Sequence, residues 1–125
     1  MIAQIHVNRL IAVVCFLLLS SCLKDKTIET VEYAFTCDDS ISYSSEIVPM
    51  IIDQSCNVSG CHNSDTNAGG YSFSNHADVS SVSDIIFKTL THQDEFVPMP
   101  LGGTIIHDSL IKKMYCWIEQ GQLDN

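Results

Sequence analysis

Apolar and polar positions alternate with helical spacing in three places along the 125-residue chain, and nowhere with the two-residue period of a strand over more than a few residues. Ser44-Ser45-Glu46 opens the first helix, which runs to about Ser55 with Ile47, Val48, Ile51 and Ile52 as its apolar stripe. Pro49 falls in its first turn, where the missing N–H is not required. Asn63 to Tyr71 is loop, ending on Gly69-Gly70, and Asn75 to Val82 holds a short helical turn. Ser83-Asp84 caps a second helix over Ile85 to Thr91, with Ile85, Ile86 and Leu90 turned inward. The last helix spans Asp108 to Gln120 and stops at Gly121. Its apolar face is Leu110, Ile111, Met114, Trp117 and Ile118, opposite Lys112, Lys113, Glu119 and Gln120. The pattern predicts an all-α fold with long loops.

The start of the chain has a different character. Arg9 precedes an unbroken apolar run, Leu10 to Leu19, too short to span a bilayer as a mature helix. Leu19-Ser20-Ser21-Cys22 resembles a bacterial lipobox, in which the cysteine is acylated and becomes the new N-terminus. Residues 1–21 are then a lipoprotein signal peptide and Cys22 the lipid anchor; an ordinary signal peptide with an incidental cysteine is the alternative. Acyl chains on Cys22 hold the protein on a membrane, each buried CH2 contributing about 0.8 kcal/mol. Residues 22–36 are polar and mixed in charge and read as a tether. One small domain follows, residues 37–125. The reading places it in the bacterial cell envelope, on the non-cytoplasmic side, periplasmic or at the cell surface, where disulfides persist.

All fifteen acidic residues lie after Cys22 and Arg9 leaves with the signal, so five lysines remain and the formal charge is −10. That balance argues against nucleic acid, whose phosphates need Lys and Arg. It suits solubility and can steer the protein toward a basic partner. A domain this small buries little apolar surface and usually needs a staple.

The chemistry is concentrated in Cys56-Asn57-Val58-Ser59-Gly60-Cys61-His62. Two cysteines followed at once by a histidine resemble a stretched form of the C-x-x-C-H haem-attachment signal. Cys56 and Cys61 would carry thioethers to the haem edge, and His62 would be the proximal axial ligand. The two additional residues must bulge away, which Gly60 assists. Two other readings stand beside it: a Cys56–Cys61 disulfide, and zinc held with a further histidine, although adjacent Cys61 and His62 aim poorly at one small ion.

Val97-Pro98-Met99-Pro100-Leu101-Gly102-Gly103 is the second informative stretch. Prolines on both sides hold Met99 in extended backbone, which suits presenting one side chain at a fixed point. A thioether is a soft ligand for haem iron, so Met99 is assigned as the distal ligand, with His92 and His107 as rivals. His76, in a polar loop, receives no role, and Met114 belongs to the core face of the last helix. A haem enzyme such as a peroxidase would need an open iron position, and Met99 argues against one. Cys116 falls on the polar side of the last helix and Cys37 opens the domain. Pairing them would clamp the leading segment over that helix, though the four cysteines of the mature chain besides Cys22 allow three connectivities.

In order along residues 44–121, Ile47-Val48-Pro49-Met50-Ile51, the Cys56–His62 stretch, Gly69-Gly70, Met99-Pro100 with Gly102-Gly103, and Trp117-Ile118-Glu119-Gln120-Gly121 resemble the small cytochrome-c-like domains of bacterial envelope lipoproteins, related to the planctomycete-type cytochrome c domain. The resemblance implies a helical domain wrapped around one covalent haem c. The expected function is electron transfer by a lipid-anchored monohaem cytochrome, not an enzyme, with redox proteins of the envelope as partners. The alternative from another class is a disulfide-stapled lipoprotein module that binds a partner or a glycan without redox chemistry.

Overall fold

Ser42 starts the first helix. Its hydroxyl accepts the Ser45 N–H at 3.3 Å, while its own N–H donates to the Glu46 carboxylate at 2.9 Å. Helix α1 spans Tyr43–Cys56 in the computed structural model, which describes residues 33–125. The signal peptide expected over residues 1–21, the acylation candidate Cys22 and most of the expected tether lie outside the described residues.

The winding of α1 is wider than that of an α-helix. Ser42 C=O accepts from Ile47 N–H at 3.2 Å, and Ile52 C=O accepts from Asn57 N–H at 2.7 Å, both steps of five residues. The early start places Pro49 inside the helix rather than in its first turn. A proline there lacks an N–H and crowds the carbonyl of the preceding turn; the wider turn relieves that crowding. The same winding puts Tyr43, Ile47, Ile51, Ile52 and Cys56 on the buried side, so α1 ends with Cys56 at the core.

Helix α2 is His76–Ser81, capped by the Asn75 side chain, which accepts the Asp78 N–H at 3.0 Å. His76 therefore opens a helix and does not lie in a polar loop. Its Nε2 is 2.8 Å from the Gln122 carbonyl, and its ring meets Tyr43 edge-on. Helix α3 is Ser83–Leu90 and buries Ile86 and Leu90 as the pattern predicts. Ile85, expected inward, is instead 37% exposed. Helix α4 is Asp108–Glu119, capped by His107, whose Nδ1 accepts the Ser109 N–H at 3.2 Å. Among the described residues no strand forms, and the architecture is all-α.

Helix α4 packs against both α1 and α3. Trp117 sits at the centre, fully buried and stacked on Tyr43 at 5.3 Å, with its indole N–H donating to the Leu123 carbonyl at 3.0 Å. Residues after α4 return to α1: the Asn125 side-chain oxygen accepts the Tyr43 N–H and its main-chain oxygen the Ser44 N–H, both at 2.8 Å. These supply partners for N–H groups that a helix start leaves open.

Cys116 is not on a polar surface. It is buried and bonded to Cys37, with the Cα atoms 5.4 Å apart. The helical period counted it among charged neighbours because it could not see the leading segment crossing over α4. Around this bond Phe35 packs edge-on against Tyr115 at 5.5 Å, and Tyr33 against Phe87 at 5.5 Å. Packing thus extends to Tyr33, past the domain start at Cys37 read from polarity.

Lys113, placed by the pattern on the solvated side, reaches Glu46 and ion-pairs α4 to α1. The Lys113 ammonium and the Ser42 N–H hold the Glu46 carboxyl below its ordinary range. A depressed carboxylate stabilises the fold above its unfolded pKa, and that contribution disappears as pH falls through the folded value. Stability should therefore hold from neutral pH to about 5 and decline below the ordinary glutamate value near 4.3. In Glu46→Gln the decline measured by urea titration should be shallower; equal slopes in both proteins would show that the pair does not contribute.

Candidate functional site

The turn after α1 is built by the backbone around Cys56. His62 N–H donates to the Cys56 carbonyl and Cys61 N–H to the Val58 carbonyl, each at 3.0 Å. Between them Gly60 has φ +84°, a conformation glycine adopts without a Cβ clash, which lets the five-residue step close. Further on, Phe73 N–H returns to the His62 carbonyl at 2.8 Å. His62 is thereby fixed at both of its backbone groups.

Its ring is fixed as well. Phe73 stacks on it with centroids 4.6 Å apart, and Nδ1 lies 3.2 Å from the Tyr71 carbonyl. A carbonyl only accepts, so the proton resides on Nδ1 and Nε2 keeps its lone pair free. Metal-binding histidines are prepared in this way: the second nitrogen is occupied by a backbone oxygen, which sets tautomer and orientation.

Met99 is fixed from the other side. Its N–H donates to the Thr89 carbonyl at 3.0 Å, and its carbonyl lies 3.2 Å from His92 Nε2. Cys56, His62 and Met99 all line one cavity of about 540 Å³ between the Cys56 turn, α3 and the Met99 loop. Its walls are apolar, and four of the side chains on them are left uncovered: Tyr71 at 39%, Ile85 at 37%, Val97 at 59% and Leu101 at 78% exposure. Ile85, the residue of α3 expected inward but found exposed, faces this cavity instead of a neighbouring helix. Large apolar side chains gathered on a concave wall mark a ligand site.

Cys61 does not line the cavity. It is half-buried beside the turn, and its charge adds to the effect of burial, the larger cause, in pushing the Cys56 thiol up to about 12. Cys56 is a neutral thiol at physiological pH. Both cysteines are free, so no disulfide joins them. Among the described residues no group of three or more His, Cys, Asp or Glu side chains is arranged to hold a metal ion. The rival histidines have other partners: His92 faces the Met99 carbonyl and His107 caps α4.

Four contributors went unread in the sequence. Tyr71 acts through its carbonyl, which no side-chain pattern reveals. Phe73 carried one signal, an aromatic residue just after the Gly69-Gly70 loop. Val97 and Leu101 carried another, as apolar residues flanking the Pro-Met-Pro segment without helical partners. Compared with protein-family models, with curated proteins and with solved structures, the chain matches none.

Proposed function

We propose that this chain is a monohaem c-type cytochrome that carries single electrons between proteins of the bacterial cell envelope, held at the membrane through Cys22. The observation that carries the reading is the common cavity: a buried thiol, an imidazole with its free nitrogen prepared, and a thioether meet on one otherwise apolar wall. That donor set and lining suit a haem, a broad apolar disc with a metal at its centre and reactive vinyl groups at its edge.

Each residue has a separate task. The Cys56 thiol, on the cavity wall, would add to one vinyl group; Cys61, in the same turn but off that wall, would have to swing toward the cavity to add to the other. His62 would donate Nε2 to the iron, with the Tyr71 carbonyl holding the other nitrogen and raising its basicity. Met99 would supply a soft sulfur that favours the reduced iron and raises the potential. Tyr71, Ile85, Val97 and Leu101 would cover the ring faces and keep water away. Bound haem would supply the one-electron iron couple. The acidic surface would steer the protein toward basic faces of its redox partners.

Protein made in cells that attach haem to cytochromes should be coloured, should show a sharp c-type spectrum on reduction, and should keep its haem stain after boiling. Met99→Ala should keep the stain, lower the reduction potential and admit external ligands to the iron. A colourless wild-type chain from such cells would overturn the reading and favour the non-redox lipoprotein module.

A further inference from the structure

Helices α3 and α4 end in the same way, with one difference. After α4, Gly121 N–H donates to Ile118 and Gln122 N–H to Trp117, with Gly121 at φ +89°. After α3, His92 N–H donates to Thr89 and Gln93 N–H to Lys88, with His92 at φ +53°. Both are Schellman closures, whose left-handed position is normally glycine because a Cβ is strained there. The chain uses glycine at one closure and histidine at the other.

The histidine has a use that glycine could not serve. Its Nε2 lies 3.2 Å from the Met99 carbonyl, and a carbonyl only accepts, so Nε2–H donates to it. Thr89, one turn earlier, accepts both the His92 N–H at 3.3 Å and the Met99 N–H at 3.0 Å. Pro98 and Pro100 have no N–H to offer. The Met99 backbone is therefore held to the end of α3 by two bonds, one from each side of the residue. His92 itself does not line the cavity, so its ring acts on Met99 and not on what the cavity holds.

We infer that His92 is a positioning residue for the Met99 thioether, kept in a left-handed position that favours glycine because its imidazole clamps the Met99 carbonyl. The inference deepens the cytochrome reading and rests on it for the role of Met99. The clamp itself is a property of the polypeptide.

The test is His92→Gly, with His92→Asn beside it. Glycine relieves the strained closure and so offsets the lost hydrogen bond, and the haem-free variant should unfold near the wild-type temperature. With the clamp gone, amide exchange at Met99 in that haem-free protein should quicken about fivefold, the effect of one net hydrogen bond. In the haem-loaded protein, the sulfur-to-iron absorption should weaken, the potential should fall, and affinity of the iron for added imidazole should rise about fivefold. Asparagine tolerates the left-handed position and carries an N–H donor, so it should restore part of each effect. A His92→Gly protein with wild-type Met99 exchange, or with unchanged sulfur absorption and potential, would overturn the inference. If wild-type protein takes up no haem but Met99 exchange still quickens in the variant, the clamp stands and the cytochrome reading fails, along with any role for Met99 at iron.

Discussion

A chain carrying Cys56→Ala and Cys61→Ala together should bind haem that a gel-filtration column retains and a boiling denaturing gel strips completely. His62 and Met99 would still grip the iron, and the apolar wall would still cover the ring, so uptake should persist. Only the bonds that survive unfolding would be missing. The single variants should differ because the two sulfurs occupy different surroundings. Cys56 is buried against the core at the end of α1, while Cys61 is half-buried. Cys56→Ala removes a packed sulfur and should destabilise haem-free protein by about 1 kcal/mol, at the mild end of large-to-small core changes. Cys61→Ala should leave haem-free stability within about 0.5 kcal/mol. Each single variant should retain one thioether and hence a stain after boiling. A double variant whose stain survives boiling would show that the attachment lies elsewhere.

Replacing both Cys37 and Cys116 should weaken the fold more than any change at the surface. The bond joins residues 79 apart, and chain-entropy arguments assign such a loop about 4–5 kcal/mol, with smaller losses common in practice. Small domains have a total stability of about 5–15 kcal/mol. A loss of about 3 kcal/mol would lower the unfolding midpoint of a domain this size by about 12–24 °C. Dithiothreitol should bring wild-type protein to the same midpoint and leave the double variant unmoved. A wild-type midpoint insensitive to reductant would remove this bond from the stability account. Haem uptake at low temperature should survive, since neither cysteine lines the cavity.

The sequence conveyed the helices better than their edges, and the reasons are specific. Apolar spacing located α3, α4 and the body of α1, because burial of one face is what those residues do. It placed the start of α1 at Ser44 because an ordinary winding would have allowed Pro49 only in the first turn. The chain accommodates that proline by widening the turn, and the cap moves back to Ser42. Cys116 looked exposed because a helical wheel contains only one helix; the partner that covers it arrives from 79 residues away. Lys113 looked solvated for the same reason, and its partner Glu46 is on another helix. At the site, side-chain identity marked Cys56, His62 and Met99, which the fold brings to one cavity. It could not mark the Tyr71 carbonyl or the turn geometry of His92, since these depend on backbone conformation.

The return of residues 120–125 to α1 bears on the order in which the molecule can be made. Asn125 caps Tyr43 and Ser44, and the Gln120 side chain bonds the main chain at Asp39 and Ile41. A ribosome delivers Asn125 after every residue that it braces. Until then the N–H groups of Tyr43 and Ser44 lack these partners, so the first turn of the opening helix is the last to be braced.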